Sequence, residues 1–159
     1  HKISIGITWR SGVMFANRTR NYAQLLDWAP ILKQKNINLV NVQYGDCQDE
    51  LDELEKETGI KVHNFKELDL RDDFEGTTAM MKNLDLVMGP ASSPLMQSAL
   101  AGVETWFFLS KVPFWTFGDE NPRWQQNILT KAKNENDPWP EHMEEKAKDF
   151  QKWLKAKRK

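Results

Sequence analysis

Two short stretches place several arginines, glycines and serines where a phosphate group could be held. In "WRSGVMFANRTR" Arg10, Gly12, Arg18 and Arg20 crowd one turn-rich segment. Guanidinium forks match phosphate oxygens, and a glycine lets backbone come close to a ligand. The same segment also reads as a solvated loop whose arginines pair with acidic neighbours, and its spacing matches neither the nucleotide P-loop nor the dinucleotide glycine fingerprint. In "GPASSPLMQ" Ser92 and Ser93 precede Pro94, the pattern of a helix start with serine at the cap and proline in the first turn. Such a start presents unpaired amides and a partial positive charge to an anion. It is equally a common way to begin a helix that binds nothing.

A third stretch, "VQYGDCQDE", adds carboxylates at Asp46, Asp49 and Glu50 and an aromatic at Tyr44. A carboxylate there accepts hydrogen bonds from ribose hydroxyls, and Tyr44 suits a base. Acidic residues at this place also complement the amino end of a following helix. Cys47 has no activating partner in sequence, and neither His63 nor His142 stands beside a serine or cysteine nucleophile, so no catalytic residue is assigned. No Cys/His spacing resembles a zinc site, so no metal is expected.

The elements that would position these groups follow from hydropathy. Apolar runs at Ile3 to Trp9, Ile37 to Gln43, Leu84 to Gly89 and Glu104 to Leu109, with a shorter one at Ile60 to Phe65, are five strand candidates. Helical spacing appears around Leu25 to Leu32, where Pro30 breaks or starts a helix, and again at Leu51/Leu54 and at Phe74, Met80 and Met81. Strands alternating with helices predict an α/β fold: a three-layer, Rossmann-like domain with a mostly parallel sheet of about five strands. Ligands of such sheets collect at the carboxyl ends of the strands, which assigns any site to the loops after Trp9, Gln43 and Gly89. Residues 110–140, rich in Trp, Asn, Asp and Pro, read as a long loop, and residues 141–157 as a terminal helix docked along Met143, Ala147, Phe150 and Leu154.

Composition limits the function classes. The chain has 159 residues, of which 40% are hydrophobic, enough to bury the core of a single domain spanning 1–159. With 22 Lys+Arg against 23 Asp+Glu the net charge is -1, which offers no broad basic surface for nucleic acid. No apolar run approaches the roughly 20 residues that span a bilayer, and the single cysteine allows no internal disulfide, so a cytoplasmic protein is expected. The amino end enters a core strand within two or three residues, the pattern of a domain excised from a longer chain.

Taken in order, "IGITWRSG", "NRTR", "LVNVQYGD", "LDLVMGPASS", "ALAGVETW" and "DPWP" resemble the carboxy-terminal domain of bacterial tetratricopeptide-repeat glycosyltransferase-like proteins, related to heptosyltransferases and more distantly to O-linked GlcNAc transferase. The resemblance covers nearly the whole chain. It implies the carboxy-terminal half of a GT-B fold, a domain that binds a nucleotide-sugar donor, UDP- or GDP-linked, as substrate and works without metal or other cofactor beside an amino-terminal domain of the same chain. By position, Arg10 and the Arg18/Arg20 pair would face the diphosphate, Gln43, Tyr44 and Asp46 would lie near the nucleoside, and Ser92 and Ser93 would start the phosphate-facing helix. The family commonly carries an aspartate and a histidine where this chain has Ala91 and Met96. A thioether neither donates a hydrogen bond nor carries charge. The departure raises a second expectation, a non-catalytic descendant kept for ligand sensing or assembly.

Overall fold

A computed structural model describes residues 2–12, 14 and 19–158. Five strands, β1 (Ile3–Ile7), β2 (Ile37–Asn41), β3 (Leu86–Gly89), β4 (Thr105–Leu109) and β5 (Ile128–Ala132), form one sheet in the order β2-β1-β3-β4-β5. All four pairings are parallel. The helices are α1 (Ala29–Leu32), α2 (Gln48–Thr58), α3 (Phe74–Met81), α4 (Ser93–Leu100) and α5 (Trp139–Lys157).

Period-two alternation along the strands divides the core between the two faces of the sheet. Ile3, Ile5, Ile7, Leu86, Met88, Trp106 and Phe108 join one cluster, completed by Ile31 of α1, Leu54 of α2 and Phe150 of α5. Val87, Phe107 and Leu109 join the other, with Met81 of α3 and Leu95 and Ala99 of α4. Both faces are thereby covered, as a parallel sheet requires, and the molecule is a three-layer Rossmann-like α/β fold.

The helix starts and stops follow local chemistry. Asp73 caps α3 by accepting from the amide of Gly76 at 2.8 Å. Gly59, at φ 72°, ends α2 in the left-handed conformation that a glycine adopts without strain. Pro30 sits in the first turn of α1, directly after a 3-10 turn at Leu25–Trp28, and so starts a helix there rather than breaking one.

Two expectations change. Ile60 to Phe65 is not a sheet strand: only His63 bridges to Val40, its amide donating to Leu39 O and its carbonyl accepting from Asn41 N, both at 2.8 Å. The chain then leaves the edge through Asn64, whose side chain accepts from Asn41 Nδ2 at 3.0 Å. The fifth strand is instead Ile128–Ala132, inside the stretch 110–140 read as loop. Lys131 disguised it, because a lysine on a covered strand breaks the apolar run. Its stem is buried, its ammonium lies 5.1 Å from the centre of the Trp106 ring, and Asp149 and Glu120 stand 3.8 and 3.9 Å away. The cation is thus compensated where it is buried. The terminal helix begins at Trp139, two residues before the 141 expected for it, and ends at Lys157 as expected.

Candidate functional site

In the order β2-β1-β3-β4-β5 the connection out of β1 runs to one side of the sheet and the connection out of β3 to the other. The carboxyl ends of β1 and β3 therefore flank the topological switch point, where a crevice forms by geometry alone. These strands also approach closely there: a Cβ at Gly89 would lie 2.5 Å from the carbonyl oxygen of Thr8.

The loop leaving β1 is fixed by one buried amide. Gln43 Oε1 accepts from Thr8 Oγ1 at 2.8 Å, from the amide of Trp9 at 3.1 Å and from the amide of Arg10 at 3.0 Å. Gln43 is 1% exposed, so its place near a nucleoside gives way to a role in the frame, pinning the first loop to the second. A second clamp follows. Arg10 donates through Nε to both oxygens of Glu50 at 3.0 and 2.9 Å and through Nη2 to Glu50 Oε2 at 2.5 Å and to Asp46 O at 2.8 Å. Trp9 Nε1 donates to the same carboxylate at 2.7 Å. Glu50, in the first turn of α2, raises the Arg10 pKa above its ordinary value through this hydrogen bonding, outweighing partial burial. The guanidinium and carboxylate assigned to phosphate and ribose are therefore each other's partners.

Gly12 and Tyr44 meet on the opposite side of the loop. The amide of Gly12 donates to Tyr44 Oη at 3.1 Å, and a Cβ at Gly12 would meet the outer edge of the Tyr44 ring, so a side chain there would have to displace the tyrosine. Gly12, Tyr44 and Ser93 line one hollow of about 300 Å³, together with Leu70, Phe74 and Arg71. Ser93 stands at the start of α4, whose first backbone bond of this kind runs from Met96 N to Ser92 O at 3.1 Å. The amides of Ser93 and Leu95 precede that bond, and Pro94 has none to offer. Ser92 Oγ is shielded and has no hydrogen-bond partner among the described residues.

Arg10, Arg20 and Glu50 line a different cleft, of about 740 Å³, bounded by Tyr22, Glu53 and Trp139. Arg20 is exposed, and its carbonyl accepts from Trp139 Nε1 at 3.0 Å, which anchors the end of the first loop to α5. Arg18 lies outside the described residues. The loop thus separates the predicted phosphate residues: Gly12 and Ser93 share the hollow, whereas Arg10 and Arg20 face the cleft. Asp46 is exposed and lines, with Tyr44, a neighbouring hollow of about 360 Å³ that continues the first through Leu70 and Arg71.

Arg71 was not anticipated. It falls between the strand candidate Ile60 to Phe65 and the helical pattern at Phe74, where neither pattern reaches it, yet it precedes α3 and so returns to the same sheet edge. Its place after a chain segment running parallel to β2 is the signal that could have found it. Ala91 is exposed, and Met96 is half-buried against the apolar cluster under α4. Among the described residues no group of three His, Cys, Asp or Glu side chains could hold a metal ion, and no helix is long and apolar enough to cross a membrane.

No family model matches the chain. It is similar to Protein FlbA of Caulobacter vibrioides, 28% identical over 125 residues, which is 78% of this chain and 21% of that protein. The chain therefore spans about a fifth of the length of the curated relative it matches.

Proposed function

We propose that the chain is the donor-binding domain of a metal-independent glycosyltransferase-like protein of the GT-B type, taking a UDP- or GDP-linked sugar at the carboxyl edge of its sheet. One observation carries the reading: backbone from the β1 exit, an aromatic from the β2 exit and the start of α4 line a single hollow at the switch point. A helix start favours the negative charge of a diphosphate, and Tyr44 with the adjoining hollow offers a surface for a nucleoside. An acceptor would be held by an amino-terminal domain of the same protein, closing over the donor.

A second reading, a ligand-sensing or assembly module without catalysis, is favoured by Met96 and by the pairing of Arg10 with Glu50, which leave the phosphate side without a histidine and without Arg10.

Isothermal titration of the full-length protein with UDP- and GDP-linked sugars tests the first reading. Saturable binding competed by the free nucleoside diphosphate is expected, and no heat with either donor class would end it. Ala91→Asp combined with Met96→His separates the two readings. A decayed site gains donor affinity from the pair, whereas a site that works through other groups loses it.

A further inference from the structure

We propose that Arg71, and not Arg10, is the cation that receives the phosphate groups of a ligand in the hollow between Gly12, Tyr44 and Ser93. The inference deepens the donor reading and rests on it for the identity of the ligand. Among the described residues that line this hollow, Arg71 is the only charged one; the others are glycine, tyrosine, serine, glutamine or apolar. It forms no ion pair at salt-bridge distance with another described residue. The carboxylate its charge reaches is the exposed Asp69, held below its ordinary pKa first by the amides of Asp72 and Arg71 and then by this charge. Its backbone amide donates to Asp69 Oδ1 at 2.9 Å, which fixes the turn that carries it. Arg10, by contrast, spends its Nε and Nη2 on Glu50 and Asp46 O and faces the other cleft.

Arg71 and the start of α4 line the same hollow, so a diphosphate held there would meet a planar guanidinium and backbone amides together. Gln97, one turn into α4, is committed elsewhere: its Nε2 donates to Phe74 O at 2.9 Å and to Thr78 Oγ1 at 2.7 Å, which ties α4 to the helix that follows Arg71. The α3 and α4 sides of the hollow are thus joined to each other before a ligand arrives. Because Arg71 also lines the adjoining hollow, the same guanidinium marks the border between the phosphate and nucleoside ends of the site.

The test uses full-length protein, Arg71→Ala, Arg71→Lys and, as a control at an exposed arginine paired with Asp119, Arg123→Ala, each titrated with inorganic pyrophosphate and with UDP- and GDP-linked sugars. Hydrogen exchange over residues 90–97 locates the binding. Pyrophosphate should protect that segment in the wild type, with affinity reduced tenfold or more in Arg71→Ala, partly restored in Arg71→Lys and unchanged in Arg123→Ala. An unchanged melting temperature in Arg71→Ala excludes unfolding as the cause. Pyrophosphate binding that is absent from the wild type, or equal in wild type and Arg71→Ala, overturns the proposal. The two readings fail differently. Nucleotide sugars that bind wild type and Arg71→Ala alike sink Arg71 and leave the donor domain standing. Arg71-dependent pyrophosphate binding, with nucleotide sugars binding nowhere, sustains Arg71 and sinks the donor domain.

Discussion

The two sides of the first loop use similar residues to opposite ends. On the side facing α2, the groups that hold the loop are matched to one another: Gln43 Oε1 takes three donors, Glu50 takes Arg10 and Trp9, and Asp46 O takes Arg10 again. On the side facing α4, Arg71 enters no ion pair with a described residue, and Ser92 Oγ has no described partner. The first arrangement is what a fold needs from polar groups, and the second is what a ligand needs. Residue type does not distinguish them, since both sides contain an arginine beside small residues; completeness of pairing does.

The comparison breaks most visibly at Gln43. Gln43→Ala removes one acceptor from three donors, two of them fully buried, and should cost roughly 3 kcal/mol or more of stability, read from urea unfolding. A loss under about 1 kcal/mol would mean that water replaces the amide and that the α2 side is no tighter than the other.

A pH titration sharpens the same contrast. Cys47, packed beside Asn41 and Gln43 O on this side, has its thiol pushed above the ordinary value, chiefly by burial and then by the Glu50 carboxylate. The unfolded chain therefore releases this proton first. Stability should be fully present below the ordinary thiol pKa and decline as the pH rises from it toward the raised value. Cys47→Ala should remove that decline, measured as the midpoint of denaturant unfolding across the alkaline range.

The smallest effect belongs to the α4 side. Ser92→Ala deletes a shielded hydroxyl that has no described partner and should change stability by no more than about 0.5 kcal/mol in either direction.

Most of the frame was legible because its physics is local. The runs that became β1 to β4 are dominated by apolar residues, least so at the edge strand β2 with Asn38 and Asn41, and Ser-Ser-Pro marked the start of α4 to within a residue. β5 was hidden because Lys131 is satisfied by partners distant in sequence, Trp106 and Asp149. The site was legible only in part for a related reason. That the loops after β1, β2 and β3 meet follows from strand order, so the shared hollow of Gly12, Tyr44 and Ser93 could be read ahead. Which side of the loop Arg10 faces depends on Glu50, and Arg71 enters by a turn of the chain that no hydrophobic period announces.

Since all five strands point the same way, the five segments that follow them emerge on one rim, while the opposite ends of the strands and both helical layers carry the folding load. Change among the exposed side chains of that rim exchanges one recognised molecule for another, or for none, so long as the buried Gln43 that pins the first two loops is kept. A chain can in this way keep its architecture intact while exposed residues along one rim are exchanged.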